Sequence, residues 1–508
     1  MNTSAFNSWE NKAFVVDEVA RRVLEEARER CARDSQVTLE TLLNESAQTL
    51  NSDGDAGHEK ALLDLAKAYA EEIHGGINPH LHRLTAWILP WFLKLRLRHV
   101  ASGGLASLEK RLHVNQNILL TGSVEHVRRL AERGTLILVP NHVSNFDSIV
   151  IGLGLHHANL PPFYYGAGLN LFRNPLLAYL LNNLGAYKVD RKKKNTIYKD
   201  TLKQYATFSI ENGCHNLFFP GGTRNRRGGM DDYLKLGLLG CGLSAFEANV
   251  CNGKSKPDVF VVPITLSYGL VLEAQSLIDE HLREEGKSRY IARRDDVSGV
   301  GRMLRFWKHL RSVHSKIHLH FCEPLDLFGN AVDAEGYSRD GHGRAIERVK
   351  YLEVQGTPTA VLQRDQEYTR ELGVAILKSY RRNNVILPTH AVAFAAFRTL
   401  RKAYPQPDFY EFLRHFTGPD NAVSQKDILQ CLGMLLHSLR ELEEKNQLRL
   451  EDSLRQQDMQ HVLDTALAQF KGYHDGQTLC GDGEKIWSDN LKLLYYYRNR
   501  LDLYALPD

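Results

Sequence analysis

Nowhere does this chain run to the roughly 18 consecutive apolar residues that a membrane-crossing helix requires. Its N-terminus, MNTSAFNSWENKAFVVDEV, has no basic stretch leading into an apolar core, which argues against a secretory signal. The seven cysteines (Cys31, Cys214, Cys241, Cys251, Cys322, Cys431 and Cys480) are scattered and form no CxxC pair. An odd, dispersed set argues against a disulfide framework or a zinc site, and for reduced thiols in a reducing compartment. Excess charge is lacking as well. The formal net charge is +4 over 508 residues, so any basic partner site has to be local. Internal repeats and low-complexity tracts are also absent.

What remains is an ordinary globular composition on a chain long enough for two or three domains. Residues 1–110 read as helical, with VDEVARRVLEEARERCARD placing apolar residues at helical spacing between charges. Within them, LTAWILPWFLKLRLRHV (84–100) carries Trp87 and Trp91, then Lys94, Arg96, Arg98 and His99. Its apolar part would rise only about 15 Å as a helix, half of a ~30 Å hydrocarbon core. Two readings of 84–100 stand: a segment lying at a lipid surface, or a buried helix ending in a basic turn.

From about 134 the pattern changes. TLILVP, PFYYGA, AYKVD, NLFFP and VFVVPITLSY read as strands, and PLLAYLLNNLG and TIYKDTLKQYATFSIEN as helices between them. The alternation predicts an α/β domain over 111–330: a mixed, largely parallel sheet flanked by helices, with helical regions on either side. GNAVDAEGYSRDGHGR (329–344) reads as a linker, and 331–508 as a C-terminal helical region.

Four segments of the α/β part hold the unusual residues. In VPNHVSNFD, His142 and Asp147 would stand where a strand ends and a helix begins, the place where open α/β sheets keep their ligands. A neutral imidazole accepts a proton from an alcohol near pH 7, and a carboxylate on its other nitrogen fixes the tautomer. The plainer reading is that Asp147 caps the helix. GAYKVDRKKKN sets Lys188, Arg191, Lys192, Lys193 and Lys194 against Asp190 alone, either an anion site or a solvated basic loop. FFPGGTRNRRGG runs a strand into Gly221 and Gly222, then Thr223, Arg224, Asn225, Arg226 and Arg227. Glycines admit backbone N–H groups to an anion, and arginine forks suit phosphate oxygens. No GK[ST] follows, so this is not a Walker loop. VVPITLSYG reads as a buried strand in which Pro263 needs a special place.

Together these segments resemble the glycerolipid acyltransferases. NHVSNFD is similar to their HX4D motif, GAYKVDR to the second motif, FFPGGTRN to the third and VVPITLSYG to the fourth, in the same order. LVLEAQSLIDEHLREEGKSRY and LLYYYRNRLDLY are similar to the glycerol-3-phosphate and dihydroxyacetone-phosphate branch. The resemblance implies that His142 is the general base and Asp147 its orienter. It implies that Arg191, Gly222, Thr223, Arg224 and Arg226 hold the phosphate acceptor, and that Pro263 is the fourth-motif proline. Lys193 joins the phosphate-binding set on charge alone. Three positions depart from the pattern: Gly221 replaces a glutamate, Asn225 a serine, and Asp190 a basic residue of some relatives. The first leaves the acceptor open.

The expected activity is transfer of a fatty acyl group from acyl-CoA or acyl-carrier protein to glycerol 3-phosphate, the first step of phospholipid synthesis. It needs no metal and no cofactor beyond that co-substrate, and the protein would sit peripherally on the cytoplasmic side of a membrane. Dihydroxyacetone phosphate or a lysophospholipid such as lysophosphatidate is the alternative acceptor. A non-catalytic lipid-binding relative is a further alternative, which the His142–Asp147 pair argues against. Nucleic acid is disfavoured by the near-neutral charge and by the lack of aromatic residues within 188–194 and 223–228.

Overall fold

A computed structural model describes residues 11–285 and 305–506, apart from 35, 47–54, 79–80, 82–116, 174, 307, 311, 313–314, 457 and 475. The 84–100 segment therefore lies outside the described residues. Among those described, no helix is long and apolar enough to cross a membrane.

The centre is a seven-stranded sheet in the order β1-β7-β6-β2-β5-β3-β4. Its strands are β1 (Ile118–Gly122), β2 (Thr135–Pro140), β3 (Tyr164–Gly168), β4 (Ala186–Val189), β5 (Asn216–Leu217), β6 (Val259–Tyr268) and β7 (Ile317–Phe321). All pairs are parallel except β6 with β7, so the sheet is mixed and largely parallel, as expected. Every residue of β2 and of β6 is buried. Helices cover both faces, so these strands read as continuous apolar runs rather than as alternation. β1 went unrecognised because ILLTG offers only three apolar residues, and pairing with β7 supplies the rest.

Pro263 finds its place at an interruption in the ladder. Its carbonyl accepts from the backbone N–H of Cys322, just where the chain leaves β7, and its missing N–H falls where the β6–β7 pairing has ended.

The stretch 329–344 is not an open linker. It folds into short antiparallel strands, Ala331–Val332, Ser338–Arg339 and Ala345–Ile346. Asp333 accepts the backbone N–H groups of Glu335 and Tyr337, and Asp340 those of His342 and Arg344. Three residues after each aspartate, Gly336 (φ 88°) and Gly343 (φ 81°) take the left-handed turn that a side chain would resist. The acidic, glycine-rich composition encodes tight turns.

The helices beyond it do not form a separate unit. Pro388–Ala403, Gln425–Glu444, Met459–Phe470 and Leu491–Arg498 share one hydrophobic core with the sheet: Ile264, Leu266 and Phe321 belong to the same cluster as Ala391, Leu432, Leu463 and Leu494. At about 1.5–3 kcal/mol for each large side chain buried, this shared core is a principal source of stability. The N-terminal helices Lys12–Arg33 and Asp55–Ile73 pack on the helix Thr196–Glu211. Arg22 clamps the buried Glu211 there with two bonds of 2.6 and 2.8 Å.

Candidate active site

Each of the four motif segments ends on, or just beyond, the carboxyl end of a parallel strand. His142 follows β2, Arg191 follows β4, Gly222 to Arg226 follow β5, and Glu273 follows β6. The topology alone therefore gathers them at one edge of the sheet, where open α/β folds bind ligands.

His142 Nδ1 lies 2.8 Å from Asp147 Oδ2. That same oxygen accepts the backbone N–H groups of Val143 (2.7 Å) and Ser144 (3.0 Å), while Oδ1 accepts the Tyr268 hydroxyl at 2.6 Å. Asp147 is fully buried, and all four of its partners are donors. A carboxylate so placed requires a proton on Nδ1, which leaves Nε2 of His142 as the accepting nitrogen. The ring is also stacked on Phe219, with centroids 4.0 Å apart and planes at 24°. Hydrogen bond and stacking together fix the imidazole plane. Asp147 does open the helix Asp147–His157, as a capping role suggests, but its side chain serves the turn and the histidine together.

A second buried carboxylate supports the turn. Glu273 accepts from Ser144 Oγ (2.7 Å) and Asn145 N (3.1 Å), and Arg224 Nη1 stands 3.7 Å away. Burial pushes the Glu273 carboxyl above its ordinary range, and the Arg224 cation opposes this. Arg224 is therefore joined to the histidine loop through Glu273. Its neighbour Asn225 joins it directly, donating its backbone N–H to the His142 carbonyl at 2.8 Å.

The expected phosphate-binding residues fall into two groups. Arg191 lies within the electrostatic reach of Arg224: burial first, and then the Arg224 cation, hold the Arg191 guanidinium below its usual value. Two cations on loops at the same end of the sheet suit a multiply charged anion. Thr223 is exposed on the same loop. Gly222 has φ 74°, and a Cβ there would meet Lys235 Cδ at 2.7 Å and Nζ at 2.8 Å. Glycine is required at 222 for its left-handed backbone, while the end of the lysine chain lying across it could swing aside. The second group is already engaged. Arg226 pairs with Glu280 at 3.2 Å and with Glu284. Lys193 pairs with Glu72 and lies over the rings of Tyr69 (4.9 Å) and Tyr198 (5.3 Å). Its contacts tie the second-motif loop to the N-terminal helices. Pro263 acts as a strand residue and presents no polar side-chain group.

The residues that sequence reading missed come mostly from further along. Buried Arg500 reaches back to the Leu266 carbonyl (2.8 Å), Ser267 Oγ (2.8 Å) and Asn384 Oδ1 (2.6 Å). Burial draws its pKa down to about 10, which leaves it charged at neutral pH. His390 Nε2 lies 3.1 Å from the Tyr268 carbonyl, while its Nδ1 accepts from Leu387 N at 3.2 Å, so Nε2 is the donor. Asn499 Nδ2 donates to the Arg227 carbonyl at 2.9 Å. The C-terminal helices thus brace both the fourth strand segment and the arginine loop. Among the described residues no group of His, Cys, Asp or Glu is arranged to hold a metal ion.

Residues 123–267 match the acyltransferase family model, a span that holds all four motif segments but for the last two residues of the fourth. A glycerol-3-phosphate acyltransferase of Pseudomonas fluorescens (strain Pf0-1) is 25% identical over 386 residues, covering 76% of this chain and 40% of that protein. The mitochondrial glycerol-3-phosphate acyltransferase 1 of Mus musculus is 24% identical over 295 residues, covering 56% and 32%. The dihydroxyacetone phosphate acyltransferase of Homo sapiens is 25% identical over 206 residues, covering 40% and 28%. This chain spans less than half the length of each of these relatives.

Proposed function

We propose that this chain, with its acyltransferase domain at residues 123–267, moves a fatty acyl group from a thioester to a hydroxyl of glycerol 3-phosphate, the first step of phospholipid synthesis. The observation that carries this reading is the gathering, at the carboxyl ends of the parallel strands, of an oriented imidazole and two arginines that follow β4 and β5. The relatives named glycerol-3-phosphate acyltransferase favour that acceptor. The donor is acyl-CoA or acyl-carrier protein. His142 Nε2 takes the hydroxyl proton while the oxygen attacks the thioester carbonyl. The tetrahedral intermediate collapses with cleavage of the C–S bond, and the thiolate recovers the proton from the imidazolium. A thiolate leaves readily, so direct attack needs no acyl-enzyme. Arg224 and Arg191 hold the phosphate dianion, and this presents the hydroxyl already oriented to the base.

Arg224→Ala tests the assignment. It should raise the acceptor KM at least ~10-fold, roughly 1.4 kcal/mol or more, and leave the thioester KM nearly unchanged. Arg224→Lys should recover only part of the loss, because an ammonium does not reproduce the planar fork. Weakened thioester binding with an unchanged acceptor KM would assign this loop to the donor's phosphates instead.

We further infer peripheral attachment to the cytoplasmic side of a membrane through residues 84–100, on the strength of their tryptophans and basic residues. Alkaline carbonate should strip the protein from anionic vesicles. Changing Trp87 and Trp91 to Ser together with Lys94, Arg96 and Arg98 to Glu should prevent its binding. Retention in carbonate would show insertion rather than surface attachment.

A further inference from the structure

One carboxylate beside the histidine has no role in the account above. Asp231 is 8% exposed, and its Oδ1 accepts from Asn225 Nδ2 at 3.4 Å. Oδ2 is buried with no hydrogen-bond partner. A buried carboxylate oxygen without a donor is costly, and at a site of this kind it points to a donor that arrives with the ligand. Its location is specific. A Cβ added at Gly221 would lie 3.1 Å from that same Oδ2, 3.2 Å from Cγ and 3.3 Å from Oδ1. Gly221 does not have a positive φ, so its backbone would accept a side chain. The carboxylate missing from position 221 is thus supplied through space, from ten residues further on. Burial lifts the Asp231 pKa to about 6, opposed by Asn225, His142 and Arg500, so near pH 7 the group is mostly ionised and only accepts.

We propose that Asp231 is the acceptor-specificity residue of this site, accepting a hydrogen bond from the middle hydroxyl of a diol phosphate and rejecting a keto phosphate. This rests on the functional reading above. In glycerol 3-phosphate the middle hydroxyl lies between the phosphate and the reacting hydroxyl. Asp231 likewise neighbours both the Arg224 loop, at Gly221 and Asn225, and His142, which carries the base. Dihydroxyacetone phosphate presents a carbonyl oxygen at that position. It offers Asp231 no proton and leaves a buried carboxylate unpaired, a mismatch that active sites reject strongly.

The test is calorimetric titration of the full chain with glycerol 3-phosphate and with inorganic phosphate, with no thioester present. Asp231→Asn should weaken glycerol 3-phosphate binding ~10-fold and leave inorganic phosphate within twofold. With thioester present, the ratio of kcat/KM for glycerol 3-phosphate over dihydroxyacetone phosphate should fall by a similar factor. Gly221→Glu/Asp231→Ala, which moves the carboxylate to the other side of the same contact, should restore much of that ratio. A structural role would show itself differently. The raised pKa means that this group favours the fold below about pH 4 and loses that contribution as pH rises through about 6. Facing it are His142, Arg500 and Tyr380. At pH 7 Asp231→Asn should therefore have a thermal midpoint no lower than wild type, and any gain should vanish toward pH 4. Equal weakening of both anions, unchanged glycerol 3-phosphate binding, or a lowered midpoint with selectivity intact would overturn the proposal. If the wild type turned over neither acceptor yet Asp231→Asn still weakened the diol phosphate alone, the functional reading would fail and the role of Asp231 would stand.

Discussion

His142→Ala should reduce kcat by about 10³-fold or more, roughly 4 kcal/mol, while acceptor binding stays within a few-fold of wild type. The split follows from geometry. Nδ1 is committed to Asp147 at 2.8 Å, so Nε2 acts only when the hydroxyl loses its proton. In the proposed mechanism the phosphate is held by other side chains, Arg224 and Arg191, which the substitution leaves in place. The loop should survive as well, because its bonds to Asp147 come from the backbone of Val143 and Ser144, and its bond to Asn225 from the His142 carbonyl. Circular dichroism and phosphate titration of the variant check the fold and the binding, and single-turnover thiol release checks the chemistry. A kcat near that of wild type would remove the histidine from the mechanism.

Asp147→Asn should cost somewhat less, about 10²- to 10³-fold in kcat, and again with little change in acceptor KM. Asp147 is surrounded by donors: three N–H groups on Oδ2 and the Tyr268 hydroxyl on Oδ1. An asparagine has a single oxygen to offer them. Turning that oxygen to the three N–H groups leaves its NH₂ facing Tyr268, whose hydroxyl rotates to accept. The histidine therefore keeps its tautomer and orientation but loses the negative charge that stabilises the imidazolium. Burial and the Asp147 charge both hold the Tyr268 hydroxyl far above its usual pKa, and without that charge it should fall. Ultraviolet difference titration of the variant would follow this shift. If activity were lost through collapse of the loop, the acceptor KM and the thermal midpoint would change together with kcat.

Much of the site was legible because parallel strands carry function at their ends. β2, β4, β5 and β6 each read as an apolar run stopped by polar residues, and those polar residues converge once the strands lie side by side. What escaped depends on distance in the chain. Arg500 reaches residues more than 230 positions earlier, and nothing local in RNRLDLY specifies that contact. The charge of Lys193 groups it with the expected phosphate-binding residues, but the partner of a lysine is set by packing, and here Glu72 meets it. Arg226, aligned with a motif position, is engaged by Glu280 and Glu284 on the helix Ala274–Glu284. Nothing in GGMDD singles out Asp231, because the stretch carries no periodic signal, and only the folding back of the loop brings it against Gly221.

In the proposed mechanism a hydroxyl activated by His142 attacks a thioester. The most direct measurement of that step is release of free thiol by the purified protein, given acyl-CoA or acyl-carrier protein in turn, with and without glycerol 3-phosphate. Thiol release that requires glycerol 3-phosphate, matches the acylated product in amount and disappears in His142→Ala is the predicted result. Release that is indifferent to the acceptor, or that persists undiminished in His142→Ala, would contradict it.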